Sequence, residues 1–114
     1  MDMAIDLNLF EVVVFEDKLK QAFGNKDYCT KAEIKKIDGK YYFYLKVREF
    51  TKKVEEDITK TFEKKFKVSI GWWESYRSLK QAKKEIKRSN PIAFMVEHPK
   101  AKYGLKYATY ILGG

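Results

Sequence analysis

This sequence of 114 residues has a single cysteine and a single histidine, and each shortage excludes a class of protein. Cys29 has no partner for an internal disulfide, so the fold must be held by its core, as is usual in a reducing compartment. His98 and Cys29 are too few soft ligands for a zinc site at any spacing. We therefore expect no metal, no cofactor and a cytoplasmic location.

We expect no segment that directs the chain into or across a membrane. Asp2 and Asp6 stand where a secretory signal would carry positive charge, and no apolar run approaches the length that spans a bilayer. With two prolines and no repeated or serine-rich stretch, no linker divides the chain. We expect a single soluble intracellular domain over residues 1–114, long enough to bury about two-thirds of its unfolded surface.

Sequence signatures of catalysis are also lacking. A general base needs an orienting partner, and none can be identified for His98. The glycines stand singly or as the terminal pair, so they form no phosphate-binding loop. We predict that the protein is not an enzyme.

Acidic residues are scarce in the second half of the sequence. Residues 1–57 hold 11 Lys and Arg against 12 Asp and Glu, whereas residues 58–114 hold 13 against 4. The whole net charge of +8 therefore comes from the second half. Such asymmetry predicts a polyanionic partner, which is nucleic acid, an acidic protein face or an anionic membrane. An ordinary solvated lysine-rich surface is the alternative.

A basic helix carries much of that charge. Ser78 and Gln81 form a capping box, so the helix begins at Leu79. Leu79, Ala82 and Ile86 fall within about 60° of one another and form its apolar face. The opposite face carries Lys80, Lys83, Lys84, Lys87 and Arg88. Only Glu85 offsets these cations, so we interpret the face as an anion-binding surface, with a merely solvated helix as the other interpretation.

A β-hairpin is the clearest local prediction. Asp38-Gly39, between two strand-like runs, is the preferred pair for a two-residue type I′ turn, which predicts strands at 28–37 and 40–50. The turn sets the register and places three pairs on one face of the hairpin. These pairs are Ile34 with Phe43, Ala32 with Leu45, and Thr30 with Val47.

The other face of the hairpin allows two interpretations. Tyr42 and Tyr44 lie there among cations that include Lys35, Lys46 and Arg48. Exposed rings beside cations are typical of sheets that bind single-stranded nucleic acid, where bases stack on the rings. Alternatively, the segment 105–112 covers the rings and makes them part of a second core layer.

Hydrophobic periodicity predicts the remaining elements. A run of β-branched residues favours a strand at 7–15, with a helical face as the open alternative, followed by a short helix at 17–23. Further elements are a helix at 52–65, a strand at 68–73, and short strands at 92–96 and 105–112. Strand alternation predicts that Trp72 lies in the core and that Trp73 is more exposed.

These elements predict an α+β fold in which helices pack on an antiparallel sheet. Over residues 7–74 their order matches the ferredoxin-like βαββαβ plan, to which residues 75–114 add a C-terminal basic helix and one or two strands. RNA-recognition domains share this order, but residues 40–50 lack their signature strand. The sequence therefore indicates no family.

The charge and the hairpin together predict a small basic protein that binds RNA or DNA without catalysis, through its lysine-rich helix and the aromatic and basic face of its sheet. The alternative is an inhibitor or adaptor, encoded by a virus or mobile element, that docks its basic face on an acidic surface of a nucleic-acid-processing enzyme. The predicted contact residues are Lys80, Lys83, Lys84, Lys87, Arg88, Arg77, Trp73, Tyr42, Tyr44, Lys35, Lys46, Arg48, Lys100 and Lys102.

Overall fold

The computed structural model describes residues 9–88, 92–99 and 102–113, and it confirms an α+β fold with helices packed on a mostly antiparallel sheet. In chain order the elements are α1 (Leu9–Phe23), β1 (Cys29–Ile37), β2 (Lys40–Val47), α2 (Lys52–Phe66), β3 (Ser69–Tyr76), α3 (Leu79–Arg88), β4 (Ile92–Glu97) and β5 (Tyr107–Gly113). A short 3₁₀ turn, Lys102–Gly104, lies between the last two strands.

The five strands form one sheet in the order β1-β2-β4-β5-β3. β2 and β4 pair in parallel, and every other neighbouring pair is antiparallel. The strands expected as additions to a core at 7–74 therefore occupy the middle of the sheet. Because β3 pairs with β5, β3 joins the sheet only through a strand that lies outside the expected core.

The start of the described chain is helical, which corrects the strand expected at 7–15 and the separate helix at 17–23. A single helix runs from Leu9 to Phe23, while residues 7–8 lie outside the described part. Leu19 and Phe23 are fully buried on one stripe of this helix, with Phe15 packed beside them. Burial of that stripe outweighs the strand preference of the valines, so a helix stands where the ferredoxin-like plan requires a strand.

The hairpin has the predicted turn and nearly the predicted register. Asp38 and Gly39 have φ values of 46° and 82°, as a type I′ turn requires. Ile34 faces Phe43 and Ala32 faces Leu45, as predicted. The third pair is wrong, because an irregularity between Cys29 and Lys31 places Cys29 opposite Val47 and leaves Thr30 exposed.

Helices cover both faces of the sheet. On the first face, α1 and α2 bury an aromatic core that includes Phe43, Phe62 and Phe94, whose rings pack against one another. On the second face, α3 packs on Tyr42, Tyr44, Ala93, Met95 and Tyr107. The basic helix is therefore a structural layer of the fold, and its cations project from that layer.

Candidate functional site

The helix α3 has a capped start and packs on the sheet through its apolar face. Its first turn is capped by Ser78, whose Oγ accepts a hydrogen bond from the Gln81 backbone N–H at 3.2 Å, which is the Ser78 half of the predicted capping box. Ala82 and Ile86 are fully buried against the sheet. Near its C-terminal end, Lys40 Nζ donates to the Ile86 carbonyl at 2.9 Å. The helix is thus a rigid platform for the side chains on its outer face.

The cations of α3 fall into two groups. Arg88 lies 3.4 Å from Glu85, the one acid expected to offset these cations, and Lys87 lies 2.5 Å from a second acid, Asp38 in the hairpin turn. No ion pair joins Lys80, Lys83 or Lys84 to any described residue. These three lysines are the uncompensated core of the surface, and we call them the lysine stripe.

The two flanks of α3 differ in charge. Glu85 and Lys87 project about 160° apart around the helix axis. The flank with Glu85 faces Tyr76 in β3. The pKa of Tyr76 is raised chiefly by burial and next by the negative charge of the Glu85 carboxylate. The flank with Lys87 faces the hairpin turn. Glu85 reduces the positive charge on one flank and Asp38 reduces it on the other, so the uncompensated charge of the helix is that of the lysine stripe.

Tyr42 and Tyr44 do not form the open stacking face that was one of the two hypotheses. Their residues are only 2% and 5% exposed, and α3 is the element that covers them. Residues 107–113, from the segment expected to cover them, instead form β5, which β4 separates from β2. The Tyr44 hydroxyl donates to Glu97 Oε1 at 2.6 Å. Burial, followed by this hydrogen bond, raises the pKa of Tyr44. These two rings are core residues.

The hairpin cations are closely associated with carboxylates and a ring. Lys35 Nζ lies 4.2 Å from the centre of the Tyr44 ring and 3.6 Å from Glu33. Lys46 lies 3.9 Å from Glu97, and Arg48 is exposed at the end of β2. Because Glu33 and Glu97 lie among these cations, this part of the surface is less positive than the lysine stripe.

The other predicted contact residues have different outcomes. Arg77 is exposed between β3 and α3. Trp73 lies at an irregularity in β3, between the paired residues Trp72 and Glu74, but the side chains of both tryptophans lie outside the described part of the structure. Lys100 and the side chain of Lys102 lie outside it as well, so the predictions for these residues stay predictions.

One residue that the sequence analysis missed is Tyr103. It is 70% exposed and lies in the 3₁₀ turn with a φ of 66°, a left-handed conformation that is unusual for a bulky residue. No periodic pattern marks this position in the sequence. The stretch 98–104, with Pro99 and Gly104, indicates a basic turn but does not indicate that this ring is exposed.

The buried titratable groups are satisfied within the fold. His98 stacks on Phe50 at 4.6 Å and its Nδ1 lies 2.9 Å from the Pro99 carbonyl, while burial lowers its pKa. Burial raises the pKa of the Cys29 thiol. In the described residues no buried side-chain N or O lacks a hydrogen-bond partner, and no group of His, Cys, Asp and Glu is arranged to hold a metal ion.

A groove of about 490 Å³ lies on the first face of the sheet, beside the start of α2. Acidic and basic side chains both line this groove. The Tyr28 hydroxyl donates a hydrogen bond to Asp57, and Lys26 Nζ lies 3.1 Å from the same carboxylate. Asp57 is thus paired within the fold with both Tyr28 and Lys26.

No family model, curated protein or solved structure matches this chain. None of the helices in the described ranges is both long enough and apolar enough to cross a bilayer. The geometry of the basic surface is therefore the basis for assigning a function.

Proposed function

We propose that the protein binds nucleic acid through the lysine stripe of α3. The observation that carries the proposal is that Lys80, Lys83 and Lys84 share one face of a rigidly packed helix and have no ion pair within the described residues. Binding to phosphates would supply the counter-charges that the fold does not.

The spacing of the cations supports a role beyond solubility. Like charges three or four residues apart on a helix destabilise it by about 0.2–0.5 kcal/mol per pair. Such pairs join Lys80 to both Lys83 and Lys84, Lys83 to Lys87, and Lys84 to both Lys87 and Arg88. Because α3 is held by its buried face, the helix tolerates this repulsion. A bound polyanion would relieve it.

The chemistry of the surface favours contacts to phosphate over contacts to bases. Lysine acts as a point charge for phosphate, whereas base recognition relies mainly on bidentate Arg, Asn and Gln. Arg88 is engaged with Glu85, which leaves Gln81 as the exposed amide of the helix. We therefore expect binding that varies little with base sequence.

The proposal is tested by measuring affinity for a mixed-sequence oligonucleotide over a series of salt concentrations. Three to five phosphate contacts give a slope of log affinity against log salt of about −2 to −4.5. Replacing Lys80, Lys83 and Lys84 with Gln should make this slope shallower by about 2 to 3 and weaken binding. Circular dichroism should show that the variant remains folded.

A matched control distinguishes binding by the lysine stripe from a general effect of the protein's net charge. Lys60, Lys64 and Lys65 are exposed on α2, which packs on the opposite face of the sheet, and their replacement by Gln removes the same total charge. This control should retain the parent slope. Equal losses in the two variants, or no loss in the α3 variant, would overturn the proposal.

A further inference from the structure

We propose that a second groove, where α1 meets the end of α2, binds a small molecule that combines one aromatic ring with a carboxylate. This inference goes beyond the proposed function, because the groove lies on the first face of the sheet and the lysine stripe lies on the second. The groove has a volume of about 160 Å³. We call it the apolar groove, and its apolar lining consists of Phe15, Phe43, Phe66, Val68, Ile92 and Leu112.

The apolar groove is an opening in the aromatic core. Phe43 and Leu112 are 4% and 3% exposed and form its floor, while the other four apolar side chains of the lining are only partly buried. Protein interiors contain few voids larger than a water molecule, and side chains that border unfilled space lose packing contacts. A ligand with an apolar body would restore those contacts and remove the partly buried side chains from water.

The size of the groove selects a single ring. Drug-sized ligands occupy pockets of about 300–1,000 Å³, whereas an apolar cavity of about 150 Å³ holds benzene. The rings already present pack at angles: Phe15 and Phe66 have centres 5.9 Å apart at 72°, and Phe43 and Phe66 have centres 5.1 Å apart at 50°. Aromatic rings favour such tilted contacts, so one further ring can join this cluster.

Lys18 gives the groove its charge preference. This exposed lysine lines the groove, and its Nζ lies 5.2 Å from the centre of the Phe66 ring. No ion pair joins Lys18 to any residue in the described ranges. Apolar surroundings strengthen the attraction between opposite charges. Because a single ammonium matches a single negative charge, the site favours a carboxylate over a phosphate dianion.

The test is a titration of the protein with phenylacetate and with phenylacetamide, its uncharged analogue of the same shape, followed by methyl NMR. The methyl signals of Val68, Ile92 and Leu112 should shift together. Phenylacetate has ten non-hydrogen atoms, for which a dissociation constant of about 1 mM is expected. Phenylacetamide should bind about 2- to 5-fold more weakly, because it lacks the charge that meets Lys18.

Replacement of Lys18 by Gln should abolish this difference. The affinity for phenylacetate should fall to that for phenylacetamide, while the affinity for phenylacetamide should stay the same. Lys20→Gln is the matched control, since it removes the same charge from the same helix at a position about 160° away around the axis. Lys18 and Lys20 are both exposed, so both variants should fold, and the Lys20 variant should keep the preference for phenylacetate.

Three results would overturn the inference. The first is the absence of shifts in these methyl groups at about 10 mM phenylacetate, roughly ten times the expected dissociation constant. The second is a preference for phenylacetate that persists in Lys18→Gln. The third is shifts confined to α3, which would show that the anion binds the lysine stripe instead. Oligonucleotide binding is measured separately, so the proposed function and this inference can fail independently.

Discussion

Lys87 Nζ lies 2.5 Å from Asp38 Oδ2, so the end of α3 is joined to the tip of the β1–β2 hairpin. Both side chains are more than half exposed, and pairs of this kind contribute about 0–1 kcal/mol to stability. The chief effect of the contact is electrostatic. Asp38 compensates a cation that would otherwise extend the lysine stripe.

Replacing Asp38 with Asn should therefore strengthen binding to oligonucleotides. Asn tolerates the positive φ of this position, so the turn should persist. The freed Lys87 adds one phosphate contact, which should steepen the salt slope by about 0.7–0.9. Asp17→Asn, an exposed change of equal charge on α1, is the control and should leave the slope unaltered. Identical slopes for Asp38→Asn and the parent would show that Lys87 does not contact the ligand.

Tyr44 should matter for stability and not for binding. Truncation of this buried ring to Ala should cost about 3–5 kcal/mol in urea unfolding, as the loss of large core side chains does. Tyr44→Phe keeps the ring but removes the hydroxyl that donates to Glu97, which should cost about 1–3 kcal/mol. The Phe variant should bind oligonucleotides as the parent does. A Tyr44→Ala protein as stable as the parent would contradict the burial of the ring under α3.

His98 should make the protein less stable in mild acid. Burial lowers its folded-state pKa below the ordinary value of 6.5, so the unfolded chain takes up a proton more readily. The stability that comes from keeping His98 neutral is fully present at a pH well above 6.5. It is lost as the pH falls through the pKa of His98 in the folded protein. The free energy of unfolding should therefore decline as the pH falls below about 6.5. His98→Gln cannot titrate and should show a flatter profile, and parallel profiles would exclude this role for His98.

Local patterns in the sequence predicted the hairpin turn, the start of α3 and, to within one residue, the bounds of α2, because each depends on residues close together in the chain. The first helix could not be assigned this way. Its valines favour a strand, and the helical stripe that includes Leu19 gains its advantage only by burial against other elements. Likewise, Tyr42 alternates on the hairpin as predicted, but whether its ring is open or covered depends on where α3 docks.

The strand order could not be predicted from the sequence either, because it depends on contacts between elements that are far apart in the chain. Nothing near β2 indicates that its second neighbour is β4, which follows two helices and another strand. The candidate site contains some features that the sequence predicts and others that only the fold reveals. The cations of α3 are visible as a pattern, whereas their partner Asp38 and the exposed ring of Tyr103 emerge only from the folded chain.

The position of β4 and β5 in the middle of the sheet also determines when the protein can fold as a ribosome makes it. When synthesis has reached the end of α3, β3 still has no hydrogen-bonding partner and one edge of β2 is open. Pairing over such long sequence separations is slow, and unpaired strands are prone to aggregate. A nascent chain that contains the whole basic helix is therefore not yet a folded protein, and its lysine stripe gains a rigid support only when the two central strands have been made.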